Sequence, residues 1–107
     1  MDREELKRRI FAGERDFTEV DWSSARLYNL DLTGIILIGA NLTRANLKDV
    51  MFDDANLERA CLDGADLGEA RFQNANLRRA SFNNSTLCSV YFNGCDLDGV
   101  RPLPDIE

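Results

Sequence analysis

Residues 55–69 read ANLERACLDGADLGE, which is three consecutive five-residue units, each with a leucine at its third position. The same spacing extends over most of the chain, because every fifth residue from 17 to 97 is large and apolar. Sixteen of these seventeen central residues are Leu or Phe, and the other is Trp22. A smaller, mostly apolar residue precedes each central residue by two positions. The fold therefore has to be predicted from this internal repeat.

A period of five fits neither an α-helix nor a straight β-strand. Five helical residues turn through about 500°, so the central residues would point in all directions around the axis. In a straight strand, residues five apart lie on opposite faces. Both conflicts disappear if the chain turns a corner in every unit, with the small and the central residue both pointing inward. Gly and Asn are frequent two positions after the central residue, where a tight turn requires positive φ.

Three phenylalanines indicate how many sides each coil has. Phe52, Phe72 and Phe92 are twenty residues apart, so a coil of four units would stack them in one aromatic ladder. Seventeen such units make about four coils of parallel β-structure. The predicted structural core comprises Phe17, Trp22, Leu37, Leu42, Phe52, Leu57, Leu62, Phe72, Phe82 and Phe92.

The units Ala55–Arg59, Ala60–Gly64 and Ala65–Glu69 resemble the A-(D/N)-L-X-X signature of pentapeptide repeat proteins. The resemblance covers residues 15–99 and implies an all-β fold, the right-handed quadrilateral parallel β-helix. The preceding segment FAGERDF, residues 11–17, is similar to the start of the repeats in cyanobacterial members of the family. Arg15 departs from the pattern, since a small inward residue is expected at its position.

Three segments are predicted along the chain. Residues 1–14 form an N-terminal helical cap, residues 15–99 form the β-helix, and residues 100–107 form a short C-terminal tail. Asp2 and Glu5 make a capping-box-like pair at the start of a short helix. The helix is expected to cover the raw edge of the first coil. The predicted contacts of this cap are Leu6, Ile10 and Phe11.

Composition argues against catalysis and against cofactor binding. The chain of 107 residues contains no histidine, no CxxC motif and no glycine-rich phosphate loop. A packed rod also lacks the concave pocket that a substrate needs. We expect no enzyme activity, no cofactor and no metal. Of the three cysteines, Cys61 and Cys88 are predicted to point outward on different sides, and Cys95 to occupy a small inward position.

No apolar segment approaches the roughly 20 residues that span a membrane, so no membrane association is expected. The N-terminal sequence does not read as a signal peptide, which favours the cytoplasm. Some members of the family are exported to the thylakoid lumen, and that location applies here only if this chain is a mature fragment.

The leading functional hypothesis is a non-catalytic scaffold that binds a protein partner not yet identified. In the segment Ile35–Ile38, residues 35 and 37 are predicted to point inward, so Ile36 and Ile38 must point outward. These two isoleucines are the candidate partner contact. Packing against a terminal segment of the chain and the absence of any role are the alternatives.

Two other functions are consistent with the sequence. Some members of the family imitate DNA and bind type II topoisomerases, and the net charge of −6 agrees with such an acidic rod. Thirteen basic residues argue against this mimicry, and no basic stripe indicates direct nucleic-acid binding. The third hypothesis is a self-assembling structural module, because an open C-terminal coil can pair with its copy in a second chain; both a monomer and an end-to-end dimer are consistent with the sequence.

Overall fold

A computed structural model describes residues 2–104 of the chain. It begins with one α-helix, α1, at Arg3–Phe11. Each following unit contributes a single β-bridge residue and then a turn, from Asp16 to Arg101. The strands are therefore no longer than one bridge, because a corner interrupts the extended backbone in every unit.

The bridges define a four-sided parallel β-helix. Each described bridge is parallel and joins residues twenty apart, from Asp16 with Ile36 to Ser81 with Arg101. Four units thus complete one coil, which confirms the predicted architecture. The molecule measures 35 × 22 × 22 Å, with a square cross-section that matches four equal sides.

The corners share one backbone conformation. All seventeen residues that follow a central residue by two positions have positive φ, and twelve of them are not glycine. This conformation costs most L-residues about 1–2 kcal/mol. Hydrogen bonds offset the cost: the Glu19 amide donates to the Ile38 carbonyl of the next coil at 2.8 Å, and the Val20 amide to the Phe17 carbonyl at 3.1 Å. Arg44 and Glu69 adopt the conformation too, although the sequence pattern indicated Gly and Asn.

The interior is filled by the central residues and the small residues beside them. The rings of Phe52 and Phe72 stack at 4.9 Å between centroids with an interplanar angle of 9°. Phe72 and Phe92 stack at 5.5 Å and 5°. The predicted aromatic ladder is therefore confirmed, and all ten predicted core residues lie buried.

Helix α1 covers the first coil through one face. The Asp2 side chain accepts a hydrogen bond from the Glu5 amide at 2.8 Å and so caps the helix. Leu6 is buried and Ile10 packs against the core. Phe11 is 95% exposed, and its predicted contact with the first coil is wrong. One residue turns a helix by about 100°, so an inward Ile10 directs Phe11 toward solvent.

Arginines fasten α1 to the β-helix. Arg3 donates to the carbonyl of Arg26 at 3.1 Å, and its guanidinium lies 4.2 Å from the ring centroid of Tyr28. Arg15 is exposed and donates to the carbonyl of Ile10 at 2.9 Å. Its side chain thus braces the helix end instead of occupying an inward position, which explains its departure from the repeat pattern.

The C-terminal end is less well covered. Leu87, Val90 and Leu97 are only partly buried, whereas central and small residues in the middle coils are fully buried. The predicted tail begins with Val100, which is buried, and with the bridge residue Arg101. Met1 of the predicted cap and residues 105–107 of the predicted tail lie outside the described residues.

Phe72 lies between two stacked rings, so its removal should leave a cavity that the rigid coils cannot close. We expect Phe72→Ala to lower the free energy of unfolding by about 3–5 kcal/mol. The control Tyr91→Ala, at an exposed side chain, should change it by less than about 0.5 kcal/mol. Urea unfolding followed by circular dichroism measures both, and equal effects of the two variants would contradict the ladder's role.

Leu6 and Phe11, two residues of the predicted cap, differ in burial, so their substitution should affect the stability of the protein differently. Leu6→Ala should lower the free energy of unfolding by about 2–5 kcal/mol, because it removes a buried contact between α1 and the first coil. Phe11→Ala should leave thermal stability nearly unchanged. A thermal unfolding series on both variants checks this, and a large loss for Phe11→Ala would contradict the exposed position.

Candidate interaction surface

The outer surface is organised by a hydrogen bond that recurs within the units. In nine units the residue before the central one is Asp or Asn. Its side-chain oxygen accepts a hydrogen bond from the backbone amide of the residue that follows the central one. In the first such pair, Asp16 accepts from the Thr18 amide at 3.1 Å. The acceptors are Asp16, Asp21, Asp31, Asn41, Asn46, Asn56, Asp66, Asn76 and Asp96. This bond gives Asp and Asn a physical role in the repeat, because it satisfies a turn amide that the ladder leaves free.

Two units satisfy the same amide from the preceding coil. Where Arg71 replaces the Asx residue, the Gln73 amide donates to Asp53 at 3.3 Å. Where Ser81 replaces it, the Asn83 amide donates to Asp63 at 2.9 Å. Asp63 also accepts from the hydroxyl of Ser81. We call the series of turn amides bonded to polar side chains the polar ladder. It continues across these two units by a hydrogen bond between coils.

Ile36 and Ile38 lie together on one side and interrupt this polar ladder. We call this the Leu37 side, after its central residues Phe17, Leu37, Leu57, Leu77 and Leu97. The backbone of Ile36 bridges Asp16 below and Asn56 above. Both isoleucines are partly exposed, so they are less accessible than the outward orientation predicted. They form an apolar pair between the polar residues of the two neighbouring coils.

The charged side chains of the same side pair across coils. Arg78 approaches Asp96 at 3.1 Å and Asp98 at 3.3 Å, and Arg79 approaches Glu58 at 3.9 Å. On the side centred on Phe52, Arg71 approaches Asp53 at 3.0 Å. These ion pairs between exposed or partly exposed groups contribute little to stability, but they place positive charge among the acidic side chains of the surface.

A second surface feature lies where α1 meets the first coil. An open groove of about 520 Å³ is lined by apolar residues of both elements, and Lys7 and Arg15 contribute the basic side chains of its lining. This groove was not predicted from the sequence, because Phe11 was expected to lie against the first coil. The helical periodicity of residues 3–11 was the signal that could have revealed it, since Leu6 and Ile10 already define the inward face.

The described residues contain no group of three or more acidic or cysteine side chains that could hold a metal ion. Cys61 and Cys88 are free, partly or fully exposed, and Cys95 packs against the core. Burial raises the pKa of the Cys95 thiol, which favours its unreactive protonated form. No helix among the described residues is long and apolar enough to cross a membrane.

Comparison with known families agrees with this geometry. A family profile described as "Pentapeptide repeat region" matches residues 36–101, and one described as "Pentapeptide repeats (8 copies)" matches residues 15–43. The chain belongs to the pentapeptide repeat family. Its fold is accordingly the right-handed quadrilateral β-helix. Comparison with curated protein sequences gives no match.

Several solved pentapeptide repeat proteins are similar to this one. A protein from Nostoc Pcc 7120 is 31% identical with a TM-score of 0.80, over 83% of this chain and 74% of that one. A protein from the Arabidopsis thaliana thylakoid lumen is 28% identical with a TM-score of 0.76, over 85% and 66%. HetL, involved in heterocyst differentiation regulation in Nostoc, is 30% identical with a TM-score of 0.57. This chain matches over 94% of its own length and 44% of HetL.

The Asx bonds make the stability of this pentapeptide repeat protein sensitive to acid. Hydrogen bonds from the Thr33 side chain and amide lower the pKa of Asp31 in the folded protein. Bonds from Thr18 and Ser23 likewise lower the pKa values of Asp16 and Asp21. A carboxylate with a lowered pKa binds protons more tightly in the unfolded chain, so its contribution is present above the unfolded pKa of about 3.9 and is lost below it.

Replacement of these three carboxylates by amides tests the effect. In Asp16→Asn/Asp21→Asn/Asp31→Asn, the side-chain oxygens still accept hydrogen bonds from the turn amides, but the side chains no longer titrate. We expect the variant to fold and to lose less stability than the parent as the pH falls below about 4. Urea unfolding at a series of pH values measures this. An unchanged pH dependence would show that these carboxylates do not control acid unfolding.

Proposed function

We propose that this pentapeptide repeat protein is a non-catalytic scaffold that binds a protein partner through Ile36 and Ile38. The observation that carries the proposal is local. On the Leu37 side, an apolar pair occupies the two positions that in the other four units hold an Asx acceptor and its turn donor. The apolar side chains make no such bond with the turn, which leaves their exposed parts available to another molecule.

The surroundings of the pair suit an interface. The coil backbone holds both side chains in fixed positions, because the Ile36 amide donates to the Arg15 carbonyl at 2.8 Å and the Ile38 carbonyl accepts from the Glu19 amide at 2.8 Å. A rigid surface loses little conformational entropy on binding. Polar and charged residues surround the pair, as in a small apolar contact with a polar rim.

The two alternatives have weaker support. A DNA mimic requires regular columns of negative charge, and the ion pairs of Arg71, Arg78 and Arg79 neutralise parts of these columns. Self-assembly through the C-terminal end is supported by the partial exposure of Leu87 and Leu97. That surface is distinct from the Ile36–Ile38 pair, so one experiment can separate partner binding from end-to-end association.

The test is a variant that restores the repeat pattern. Ile36→Asn/Ile38→Thr reproduces the arrangement of Asn41 and Thr43 in the next unit, where the Thr43 amide donates to the Asn41 side chain at 3.0 Å. The variant should therefore fold with unchanged or higher thermal stability. In affinity capture from the source organism, we expect a partner retained by the parent to be lost by the variant.

A matched control keeps the interpretation clear. Tyr91→Asn/Leu103→Thr makes equivalent polar changes at two exposed apolar side chains elsewhere on the surface, and it should retain the partner. If both variants capture the same proteins as the parent, the contact is not at Ile36 and Ile38. If no partner is captured and light scattering shows that the parent protein forms oligomers, self-assembly is the better explanation.

A further inference from the structure

The open groove between α1 and the first coil is lined by apolar residues of both elements. Ile10 and Phe11 come from the end of the helix, and Leu30 comes from the first coil. Ile10 is partly buried and Leu30 is 9% exposed, so these two form the floor. Phe11 is 95% exposed and stands at the rim.

Phe11 leaves a large aromatic surface uncovered in the folded chain. Aromatic side chains bury 150–250 Å² where they find a partner, and this one contributes almost none of that area to the fold. The floor beside it is apolar and concave. A second molecule in the groove would cover the ring and the floor together, which is the arrangement of a binding hot spot.

The charge of the groove differs from that of the chain. Its lining contains two basic side chains, Lys7 and Arg15, and one acidic side chain, Asp31. The Asp31 carboxylate already accepts the amide and hydroxyl of Thr33, at 3.1 and 2.6 Å. Lys7 makes only an exposed ion pair with Glu4 at 3.6 Å, which is weak enough to exchange. The groove lining thus carries one more basic than acidic side chain, whereas the whole protein has a net charge of −6.

Arg15 presents its charge in a fixed position. Its guanidinium donates to the carbonyls of Ile10 at 2.9 Å and Glu14 at 3.0 Å, and these bonds hold the side chain at the groove. A guanidinium has further donors that remain available to a carboxylate. The groove thus offers an apolar floor, an aromatic rim and cationic donors within one concave surface.

We infer that this groove binds an extended acidic segment of a partner protein, with an apolar side chain against Phe11 and Leu30 and carboxylates beside Lys7 and Arg15. The inference rests on the proposed scaffold function and adds a second contact to it. The Ile36–Ile38 pair would hold the body of a partner, and the groove would hold a peptide segment.

An anionic membrane is the competing ligand, and the observations favour it less. Interfacial helices carry a strongly basic polar face and an extended apolar face. Helix α1 has nine residues, and Glu4 and Glu5 lie among its basic residues. Its inward apolar residues, Leu6 and Ile10, are already engaged by the first coil. One exposed phenylalanine beside a concave groove suits a peptide better than a lipid surface.

Fluorescence anisotropy with two short labelled peptides tests the inference. One peptide alternates leucine with aspartate, and the other alternates leucine with lysine. We expect saturable binding of the aspartate peptide to the parent protein. Phe11→Ala should weaken it by about tenfold, as at a binding hot spot, and Lys7→Glu should weaken it in a salt-dependent manner.

Two variants serve as controls. Leu103→Ala truncates an exposed apolar residue outside the groove and should leave peptide binding unchanged. Ile36→Asn/Ile38→Thr should also leave it unchanged, since the pair lies outside the groove lining. Loss of peptide binding in Phe11→Ala alone, with native circular dichroism, would support the groove as the site.

Absence of saturable binding by the aspartate peptide would overturn the inference and leave the Ile36–Ile38 proposal to its own capture experiment. Equal or tighter binding of the lysine peptide would assign binding to the acidic sides of the rod instead. Phe11-dependent sedimentation with phosphatidylserine vesicles, stronger than with neutral vesicles and without peptide binding, would replace the peptide by a membrane surface.

Discussion

The hydrogen bonds from one coil to the next are the constraint on which the rest of this structure depends. In the units from residue 15 to residue 79, the central amide and the corner amide both donate to the next coil, as Leu37 does to Asn56 at 2.7 Å and Gly39 does to Glu58 at 2.8 Å. A corner amide can point along the axis only if its backbone turns back on itself, which requires positive φ. The same turn directs the central side chain into the interior. One bonding pattern thus fixes the corner conformation, the inward residues and the square cross-section.

This constraint also decides what the surface can display. Two positions per unit face outward between the corners, and in nine units an Asx side chain bonds to the amide two residues on. Such units are occupied in holding the turn. In units without this hydrogen bond, the outward side chains are not needed to hold the turn. Some of them replace it with a bond from the preceding coil, as Asp53 and Asp63 do. Ile36 and Ile38 replace it with apolar surface on a side whose other units are polar at these two positions.

The ends of the rod follow different rules from its sides. At the N-terminal end, α1 covers the first coil with Leu6 and Ile10, and Arg3 and Arg15 fasten it by bonds to backbone carbonyls. A nine-residue helix cannot turn every apolar side chain inward, and the consequence is an exposed Phe11 above an apolar floor. At the C-terminal end, the last central residues are only partly covered. Three local features thus differ from the regular sides of the rod: an apolar pair, an open groove beside α1 and a last coil with partly buried central residues.

The repeat itself determined the fold, because a large apolar residue at every fifth position is satisfied only by a chain that turns a corner in each unit. The spacing of Phe52, Phe72 and Phe92 also determined the number of sides, since only a four-sided coil aligns them. Tertiary structure decided the rest. Twelve corners with positive φ are occupied by residues other than glycine, and ten of these corner amides donate a hydrogen bond to the next coil. The position of Phe11 could not be predicted from its hydrophobicity, since the angle at which α1 meets the coil determines which helix face is inward. The partial burial of Ile36 and Ile38 likewise depends on neighbours one coil away, which lie twenty residues distant in sequence and become adjacent only when the coil closes.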